Sequence, residues 1–201
     1  GVDLSLDEEK HIEIAKGERE MSMLMRYTDP TTKLSLSPTA LFRYVECPLK
    51  FYFSSIASIK SPDELDDTID SLTFGNILHD SIEALYTDLI GIETPHQEIE
   101  AMSNRTTVES IVDRMIVKNL QMPKGFGQKD FNGDTLLVRD IIVKYITQGI
   151  FRYDLGHSGY TIVGLERDVE CEYSISDDRT IFLSGRIDRL DKLDNDKYQI
   201  I

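Results

Sequence analysis

The chain contains 201 residues, of which 40% are hydrophobic and 29% are charged. This composition excludes a disordered polymer, a collagen-like repeat and a small protein built on disulfides. Acidic side chains number 36 and basic ones 22, which gives a formal net charge of −14. Such a charge argues against a simple nucleic-acid coat protein, because a coat protein needs an excess of cations to neutralise phosphates. It leaves open an enzyme that cuts nucleic acid, since acidic side chains can serve as metal ligands there.

The sequence predicts no membrane-embedded or exported segment. No window holds 18 uninterrupted apolar residues, the length that a membrane-spanning helix requires. The N-terminal stretch is charged and lacks the apolar segment of a secretion signal. The two cysteines, Cys47 and Cys171, are therefore expected to be reduced thiols in a cytoplasmic protein.

The chain is predicted to consist of a lead-in segment over residues 1–33 and one domain over residues 34–201. Near Tyr160 the spacing of apolar residues changes from the helical period to the strand period of two. We therefore expect a helical region over residues 34–158 and the first strands of the core over residues 160–201.

The helical region has recognisable start signals. Ser37 can cap a helix that begins at Pro38, because its hydroxyl accepts from a free amide and proline needs no donor there. This helix is expected to run to Glu46 and to stop at Cys47-Pro48. The other expected elements are a lead-in helix from about Gly17 to Arg26, a helix over 49–57, an acidic loop over 58–71, a loop over 91–104, and helices over 72–90, 106–120 (capped by Thr106 or Thr107) and 134–154.

Strands are expected on either side of a turn at residues 176–179. The first runs from Tyr160 to Ile175, the second from Thr180 to about Leu193, and a third starts at Lys197. The buried face of the first strand is predicted to comprise Val163, Leu165, Val169, Cys171, Tyr173 and Ile175. Because a domain seldom ends on an unpaired apolar strand, we expect that a chain ending at Ile201 is a fragment cut inside its domain.

Two residues stand out as candidates for chemistry. His79 lies at the margin of the apolar stripe of its helix, on the side of Glu83, and the plainer interpretation is a boundary histidine bonded to a backbone group or a carboxylate. Asp188 is a charged residue within an apolar strand, so it needs a partner. Arg186, Arg189 or a cation could fill that role.

Two further acids are weaker candidates. Glu166 lies on the polar face of its strand, where a solvated carboxylate is the plainer interpretation. The register of the hairpin leaves open whether Glu166 faces Asp188. Asp191 is expected to be solvated, like the acids of the turn at 194–196.

The aromatic run Phe51-Tyr52-Phe53 has two interpretations. Together with Arg43, Tyr44 and Lys50 it could stack on single-stranded bases and touch phosphates. The simpler prediction is that apolar residues at helical spacing form the core of the helical region, namely Leu41, Tyr44, Val45, Phe51 and Phe53.

Three motifs occur in one order along the chain. They are Leu34-Ser35-Leu36-Ser37-Pro38-Thr39-Ala40-Leu41, continuing through Tyr44 to Cys47-Pro48-Leu49-Lys50-Phe51-Tyr52-Phe53; then Phe74-Gly75-x-x-Leu78-His79 with Glu83; then Gly185-Arg186-Ile187-Asp188-Arg189-Leu190-Asp191. In this order and at these separations they resemble the PD-(D/E)XK nuclease domain of the RecB/AddB exonuclease type, over residues 34–201. The resemblance implies a mixed α+β fold with a restriction-endonuclease-like core, incomplete at its C-terminus, and a helical N-terminal region.

The resemblance also implies roles for individual residues. His79 and Asp188 occupy the positions of the cation ligands of that family, and Glu166 is a weaker third ligand. The cation is expected to be Mg²⁺ or Mn²⁺, which suits an oxygen-rich site with one imidazole. Such an ion lowers the pKa of a bound water and neutralises charge on the scissile phosphate.

The third strand departs from the family pattern. The family carries a further acidic ligand and a lysine, spaced D-x-K, on this strand, and the lysine helps to stabilise the reacting phosphate. Here the strand is Lys197-Tyr198-Gln199-Ile200-Ile201, and the resemblance places the D-x-K pair immediately after Ile201. Lys197 is not the lysine of the pair, because Asn195 and not an acid stands two places before it. We therefore expect that this chain derives from a nuclease but is not a competent nuclease by itself.

Cys47 belongs to a motif with a second meaning in this family. Some relatives bind an iron–sulfur cluster through the cysteine of the Cys-Pro motif and three further cysteines. Cys171 is the only other cysteine of the chain, so a four-thiolate cluster is not expected within it. The plainer prediction for Cys47 is a small buried thiol in the corner between two helices.

The expected function is that of a metal-dependent DNA exonuclease domain in a helicase–nuclease protein of DNA repair or recombination. The expected partners are DNA ends or single strands, and a helicase domain or subunit of the same complex. The alternative is a nuclease-like module that binds DNA or a partner without catalysis. A third interpretation is an α/β domain in which His79 and Asp188 are structural.

Overall fold

A computed structural model describes residues 13–59 and 69–201. Part of the expected lead-in over residues 1–33 and most of the acidic loop over 58–71 lie outside the described residues. Two compact units emerge. One consists of the described part of residues 1–62 with Val169–Gly185, and the other of the described part of residues 63–168 with Arg186–Ile201.

The first unit contains short helices and a small core. Helix α1 spans Glu18–Met25, α2 spans Pro38–Glu46, and α3 spans Pro48–Phe51 before a π-helical stretch over Tyr52–Ile56. The predicted cap of α2 is confirmed, because the Ser37 hydroxyl accepts from the Ala40 amide at 3.1 Å. The buried residues of this unit are Leu36, Ala40, Phe51 and Ile56.

The predicted aromatic core of the helical region is wrong for most of α2. Phe51 is buried, whereas Tyr44 and Val45 are 50% and 81% exposed, and Leu41 is exposed as well. The reason is that α2 buries a single residue, Ala40, against the rest of its unit. Its remaining apolar side chains therefore lie at the surface.

The second unit contains the longer helices. Helix α4 spans Ser71–Tyr86, α5 spans His96–Met102, α6 spans Arg105–Asn119, α7 spans Gly133–Lys144, and α8 spans Phe151–Leu155 after a π-helical stretch over Tyr145–Ile150. Their inner faces supply most of the main core, whose fully buried residues include Ile77, Ile99, Val112, Ile142 and Ile162. None of the described helices is long and apolar enough to cross a membrane.

Two features of these helices differ from the sequence prediction. Helix α5 lies where a loop over 91–104 is expected, and it is held by Ile99, which is fully buried. Helix α6 is capped by Asn104 instead of Thr106 or Thr107. The Asn104 side chain accepts from the Thr106 amide at 3.0 Å, in keeping with the preference for asparagine at this position.

A four-stranded sheet crosses the described residues. Its strands are β1 (Ser35–Leu36), β2 (Tyr160–Ser176), β3 (Arg179–Leu193) and β4 (Tyr198–Ile200). The order is β1-β3-β2, and β4 also pairs with β3. Strand β1 is parallel to β3, with Ser35 opposite Phe182, and β4 is antiparallel to it, with Asp191 opposite Gln199. The mixed sheet and the helices confirm the predicted α+β class.

Strand β2 does not keep one buried face along its length. Tyr160 and Ile162 at its start are buried, whereas the strand is exposed on both sides beyond Glu166. The predicted apolar face is wrong in both halves of the strand. In the first half Tyr160, Ile162 and Gly164 are buried while Val163 and Leu165 are only half-buried, and in the second half Val169, Tyr173 and Ile175 are 41%, 59% and 57% exposed. The main core covers only the beginning of this strand.

Candidate metal centre

His79 lies in the middle of α4. The helix begins after Asp70, whose carboxylate accepts from the Thr73 amide at 2.7 Å, and it buries Ile77 and Ser81 on its inner side. The side chain of His79 is 43% exposed. This position places the imidazole at the edge of the main core, where its Nδ1 atom faces two acids.

Glu166 on β2 and Asp188 on β3 supply those acids. The Nδ1 atom of His79 lies 3.1 Å from Oε1 of Glu166 and 3.7 Å from Oδ1 of Asp188. One potential ligand atom from each of the three residues lies within 4.8 Å of the other two. We call these residues the acidic trio. The fold thus brings together the three candidate ligands of the sequence analysis. Glu166 faces Asp188, a question that the sequence analysis leaves open because the register of the hairpin is not fixed.

Glu166 reaches the trio through an unusual backbone conformation. Its φ angle is +44°, in the left-handed region that residues other than glycine seldom adopt. The side chain is 16% exposed, compared with 57% for Asp188. Left-handed residues of this kind cost free energy and cluster at functional sites.

The three ligand atoms suit a hard divalent cation. Adjacent ligands of an octahedral ion, each at about 2.1 Å from it, lie roughly 3 Å apart. The distances of 3.1 and 3.7 Å from His79 to the two acids are close to this spacing. Two carboxylates and one imidazole are also a donor set that Mg²⁺ or Mn²⁺ accepts. These residues therefore fit the cation that the resemblance implies.

Arg186 borders the acidic trio. Its Nε atom donates to Oδ1 of Asp168 at 3.1 Å, and its Nη1 atom lies 4.0 Å from Oε2 of Glu166. Within the described residues, the basic side chain next to Asp188 is His79 at 3.7 Å, and neither Arg186 nor Arg189 forms a salt bridge with it. The carboxylate of Asp188 is therefore left without a permanent cation.

A second charged group lies on the other face of β3. Arg189 donates to both oxygens of Asp154 at 2.8 Å, and to Asp191 at 2.8 and 2.7 Å. Arg189, Asp154 and Asp191 are 5%, 0% and 2% exposed, respectively, and we call them the buried triad. The prediction that Asp191 is solvated is wrong, because the alternation of β3 turns its side chain inward, where Arg189 neutralises it.

Two tyrosines enclose the buried triad. The hydroxyl of Tyr86 donates to Asp154 at 2.5 Å, whereas the buried hydroxyl of Tyr160 has no hydrogen-bond partner among the described residues. The guanidinium of Arg189 lies 5.4 Å and 5.2 Å from the two ring centroids. Burial and the negative charge of Asp154 raise the pKa of both hydroxyls, that of Tyr160 to about 12.

Burial acts on Arg189 in the opposite sense. Removal from water would by itself lower the pKa of the guanidinium, but its hydrogen bonds to Asp191 and Asp154 outweigh this and raise it. The guanidinium therefore stays charged at any ordinary pH, which a buried group can do only because both carboxylates are paired with it.

Both cysteines are free thiols. Cys47 lies between the end of α2 and the start of α3, as predicted for a thiol in the corner between two helices. It is half-buried, whereas the prediction has it buried. Cys171 is exposed on β2 and does not lie on a buried apolar face.

Known proteins resemble this chain over most of its length. One subunit of the ATP-dependent helicase/deoxyribonuclease of Clostridium perfringens (strain 13 / Type A) is 23% identical over 176 residues, which is 85% of this chain and 15% of that protein. The subunit of the same name from Clostridium tetani is 26% identical over 181 residues, or 82% of this chain and 14% of that protein. The chain therefore spans about 15% of the length of the curated relatives it matches.

A family match covers the described strands and the trio together. The PD-(D/E)XK nuclease superfamily matches residues 35–201, which begins at β1 and includes His79, Glu166 and Asp188. With a mixed sheet, a histidine-bearing helix and acids on adjacent strands inside the matched range, the chain belongs to the PD-(D/E)XK nuclease superfamily.

Proposed function

We propose that this chain is part of a metal-dependent DNA exonuclease domain that hydrolyses phosphodiester bonds within a helicase–nuclease protein of DNA repair or recombination. The observation that carries the proposal is the acidic trio, in which potential ligand atoms of His79, Glu166 and Asp188 lie within 4.8 Å of one another. The superfamily match covers all three residues.

The trio has the chemistry that phosphodiester hydrolysis needs. A bound divalent cation supplies a lowered pKa for its water and positive charge beside the scissile phosphate. Asp188 and His79 are proposed to hold this cation from β3 and α4, and Glu166 from β2. Because the side chains of Asp188, His79 and Glu166 are 57%, 43% and 16% exposed, the site is open to a substrate as large as a nucleic acid.

The curated relatives support the choice of substrate and partner. Their names combine an ATP-dependent helicase with a deoxyribonuclease. We infer DNA as the substrate and a helicase domain or subunit as the partner, in the same complex.

Strand β4 bears on whether the 201-residue chain is active alone. It carries Tyr198, Gln199 and Ile200, so it offers neither the acid nor the lysine of the D-x-K pair that the resemblance implies. We expect the 201-residue chain to bind a divalent cation without cleaving DNA.

The test is single-turnover cleavage of linear DNA with Mg²⁺ or Mn²⁺. The natural full-length protein is compared with its Asp188→Ala variant, and the 201-residue chain is assayed alongside. We expect the variant to lose cleavage by at least about a hundredfold, as for other groups that stabilise transition-state charge. Asp177→Ala, which removes an exposed acid in the turn between β2 and β3, is the matched control and should cleave normally.

Two results would count against the proposal. Unchanged cleavage by Asp188→Ala would show that the trio is not the catalytic centre. A folded full-length protein that binds DNA but never cleaves it would instead favour the non-catalytic binding module.

A further inference from the structure

Arg186 contacts the acidic trio without belonging to it. It lies two residues before Asp188 on β3, so both side chains leave the strand on the same face. Its Nη1 atom lies 4.0 Å from Oε2 of Glu166, while the other oxygen of that carboxylate lies 3.1 Å from His79. A cation bound by the trio would therefore share Glu166 with this guanidinium.

The guanidinium of Arg186 is only partly used within the protein. Its one hydrogen bond among the described residues is from Nε to Asp168 at 3.1 Å, and 59% of the side chain is exposed. A guanidinium has five N–H donors in a fixed fork, so most of them remain available to a ligand. Its partner, Asp168, is itself 81% exposed. The guanidinium can therefore change its orientation while Nε stays bonded to this carboxylate.

Charge makes Arg186 a poor neighbour for a cation and a good one for an anion. Two positive charges beside one carboxylate repel each other, so the arginine should weaken cation binding slightly. The same guanidinium can bind a phosphate through two parallel hydrogen bonds. If Arg186 only stabilised the trio, its removal would weaken cation binding. If it binds phosphate, its removal should strengthen cation binding and weaken DNA binding.

We propose that Arg186 is a phosphate-binding residue of this site, which gives up its contact with Glu166 when the trio binds a divalent cation and then donates to a phosphate oxygen of the nucleic acid. The hydrogen bond from Nε of Arg186 to Asp168 is kept in both states. This inference rests on the proposed function, because it assigns the substrate phosphate to the same site.

The test compares Arg186→Gln, Arg186→Lys and wild type by three measurements on the natural full-length protein. Calorimetric titration gives the Kd for Mn²⁺, a single-stranded oligonucleotide in Ca²⁺ gives the Kd for DNA, and single-turnover assays in Mn²⁺ give the cleavage rate. Arg105→Gln is the matched control, because Arg105 is also an exposed arginine whose Nε donates to a carboxylate, that of Glu109 at 2.6 Å. Thermal unfolding checks that each variant is folded.

We expect effects of opposite sign in Arg186→Gln. Mn²⁺ should bind about two- to fivefold more tightly, the factor that an exposed charge pair is worth. DNA binding should weaken, and cleavage should fall by about tenfold or more, since one positioned donor to a reacting anion is lost. Arg186→Lys keeps the charge but not the fork, so its Mn²⁺ affinity should stay near wild type while its cleavage is only partly restored.

Each other outcome overturns the inference at a distinct point. Weaker Mn²⁺ binding and weaker cleavage together would make Arg186 a support of the metal site, and unchanged DNA binding and cleavage would remove its role toward phosphate. In both cases the wild type still cleaves, so the proposed function stands. A wild type that binds neither Mn²⁺ nor DNA would overturn the proposed function and this inference together.

Discussion

Asp188 and Asp191 lie three positions apart on β3 and end in opposite environments. Asp188 belongs to the acidic trio and is 57% exposed, with an imidazole as its nearest basic group. Asp191 belongs to the buried triad and is 2% exposed, with the guanidinium of Arg189 at 2.7 Å. Each group contains two carboxylates, but only the buried triad contains a permanently charged cation, the guanidinium of Arg189.

This difference separates a structural cluster from a candidate functional one. In the buried triad the positive charge is part of the chain, so the site is complete on folding and has no capacity for a metal ion. In the acidic trio two carboxylates approach one histidine, and Arg186 borders the trio at 4.0 Å from Glu166 while its hydrogen bond goes to Asp168. An acidic cluster that the protein leaves uncompensated at its surface attracts an external cation. The predictions below test this contrast, from the largest expected effect to the smallest.

Replacing Arg189 should have the largest effect on stability. Arg189→Met leaves Asp154 and Asp191 buried without a cation, which typically costs about 3–5 kcal/mol of unfolding free energy. Urea unfolding followed by circular dichroism measures this cost, with Arg105→Met as an exposed control. A loss below about 1 kcal/mol would mean that the triad does not hold the fold together; if Arg189→Met does not fold, Arg189→Lys provides an intermediate case.

Replacing Asp188 should affect cation binding and leave the fold unchanged. We expect Asp188→Asn to weaken Mn²⁺ binding by at least about ten- to a hundredfold. Replacing even an outer-shell residue that hydrogen-bonds to a metal ligand has an effect of this size. Its unfolding free energy should stay within about 0.5 kcal/mol of wild type, as for other exposed positions. Calorimetric titration and urea unfolding on the same sample give both numbers, and an unchanged Mn²⁺ affinity would contradict the contrast.

Alkaline pH should destabilise the fold through the two tyrosines that enclose the buried triad. The pKa of Tyr160 is raised to about 12 in the folded protein, from about 10 in the unfolded chain. Above pH 10 the unfolded chain releases this proton first, so stability is complete below pH 10 and falls by roughly 1.4 kcal/mol per pH unit for each such tyrosine between pH 10 and 12. Tyr86 acts in the same direction.

The contribution of Tyr160 can be isolated by substitution. Tyr160→Phe should reduce the alkaline slope of the unfolding free energy, measured by urea unfolding from pH 8 to 12. Tyr173→Phe, at a residue that is 59% exposed, should leave the slope unchanged. Equal slopes in wild type and Tyr160→Phe would show that this hydroxyl ionises as readily in the folded protein as in the unfolded chain.

The smallest effect is expected at Glu166. Glycine adopts a left-handed conformation without steric cost, so Glu166→Gly should stabilise the fold by up to about 1 kcal/mol relative to Glu166→Gln. Both variants lose the carboxylate and should therefore lose Mn²⁺ affinity equally. A glycine variant less stable than the glutamine variant would show that the left-handed backbone is not strained.

Local patterns in the sequence predict much of the fold. The Ser37-Pro38 start, the apolar period of α4 and the period of two after Tyr160 each depend on neighbours along the chain. The two helices and the strand are found where they are predicted, although the buried face of the strand is not. Helix α5 escapes prediction because its stability comes from burying Ile99 in a core that other segments complete. The second half of β2 is exposed for a related reason, because no core within residues 13–59 and 69–201 covers its apolar side chains.

The site is less predictable because it depends on contacts between distant residues. His79 and Glu166 lie 87 positions apart, and the left-handed backbone at Glu166 is not apparent from its strand pattern. Asp188 and Asp191 are the same residue type in one motif, and the alternation of β3 places them on opposite faces of the strand. The burial of Asp191 then depends on Arg189, which also bonds Asp154, 35 positions earlier. A signal was nevertheless present, since an arginine inside an apolar strand requires acidic partners.

The hydrogen bond between Tyr86 and Asp154 has a consequence for the acidic trio. Tyr86 lies seven residues after His79, about two turns along α4, and Asp154 bonds Arg189, the neighbour of Asp188 on β3. Two of the three elements that carry proposed ligands, α4 and β3, are therefore connected through Asp154 by buried hydrogen bonds of 2.5 and 2.8 Å. Much of the entropy of bringing His79 and Asp188 together is therefore lost on folding, before any ion arrives, which lowers the free-energy cost of binding.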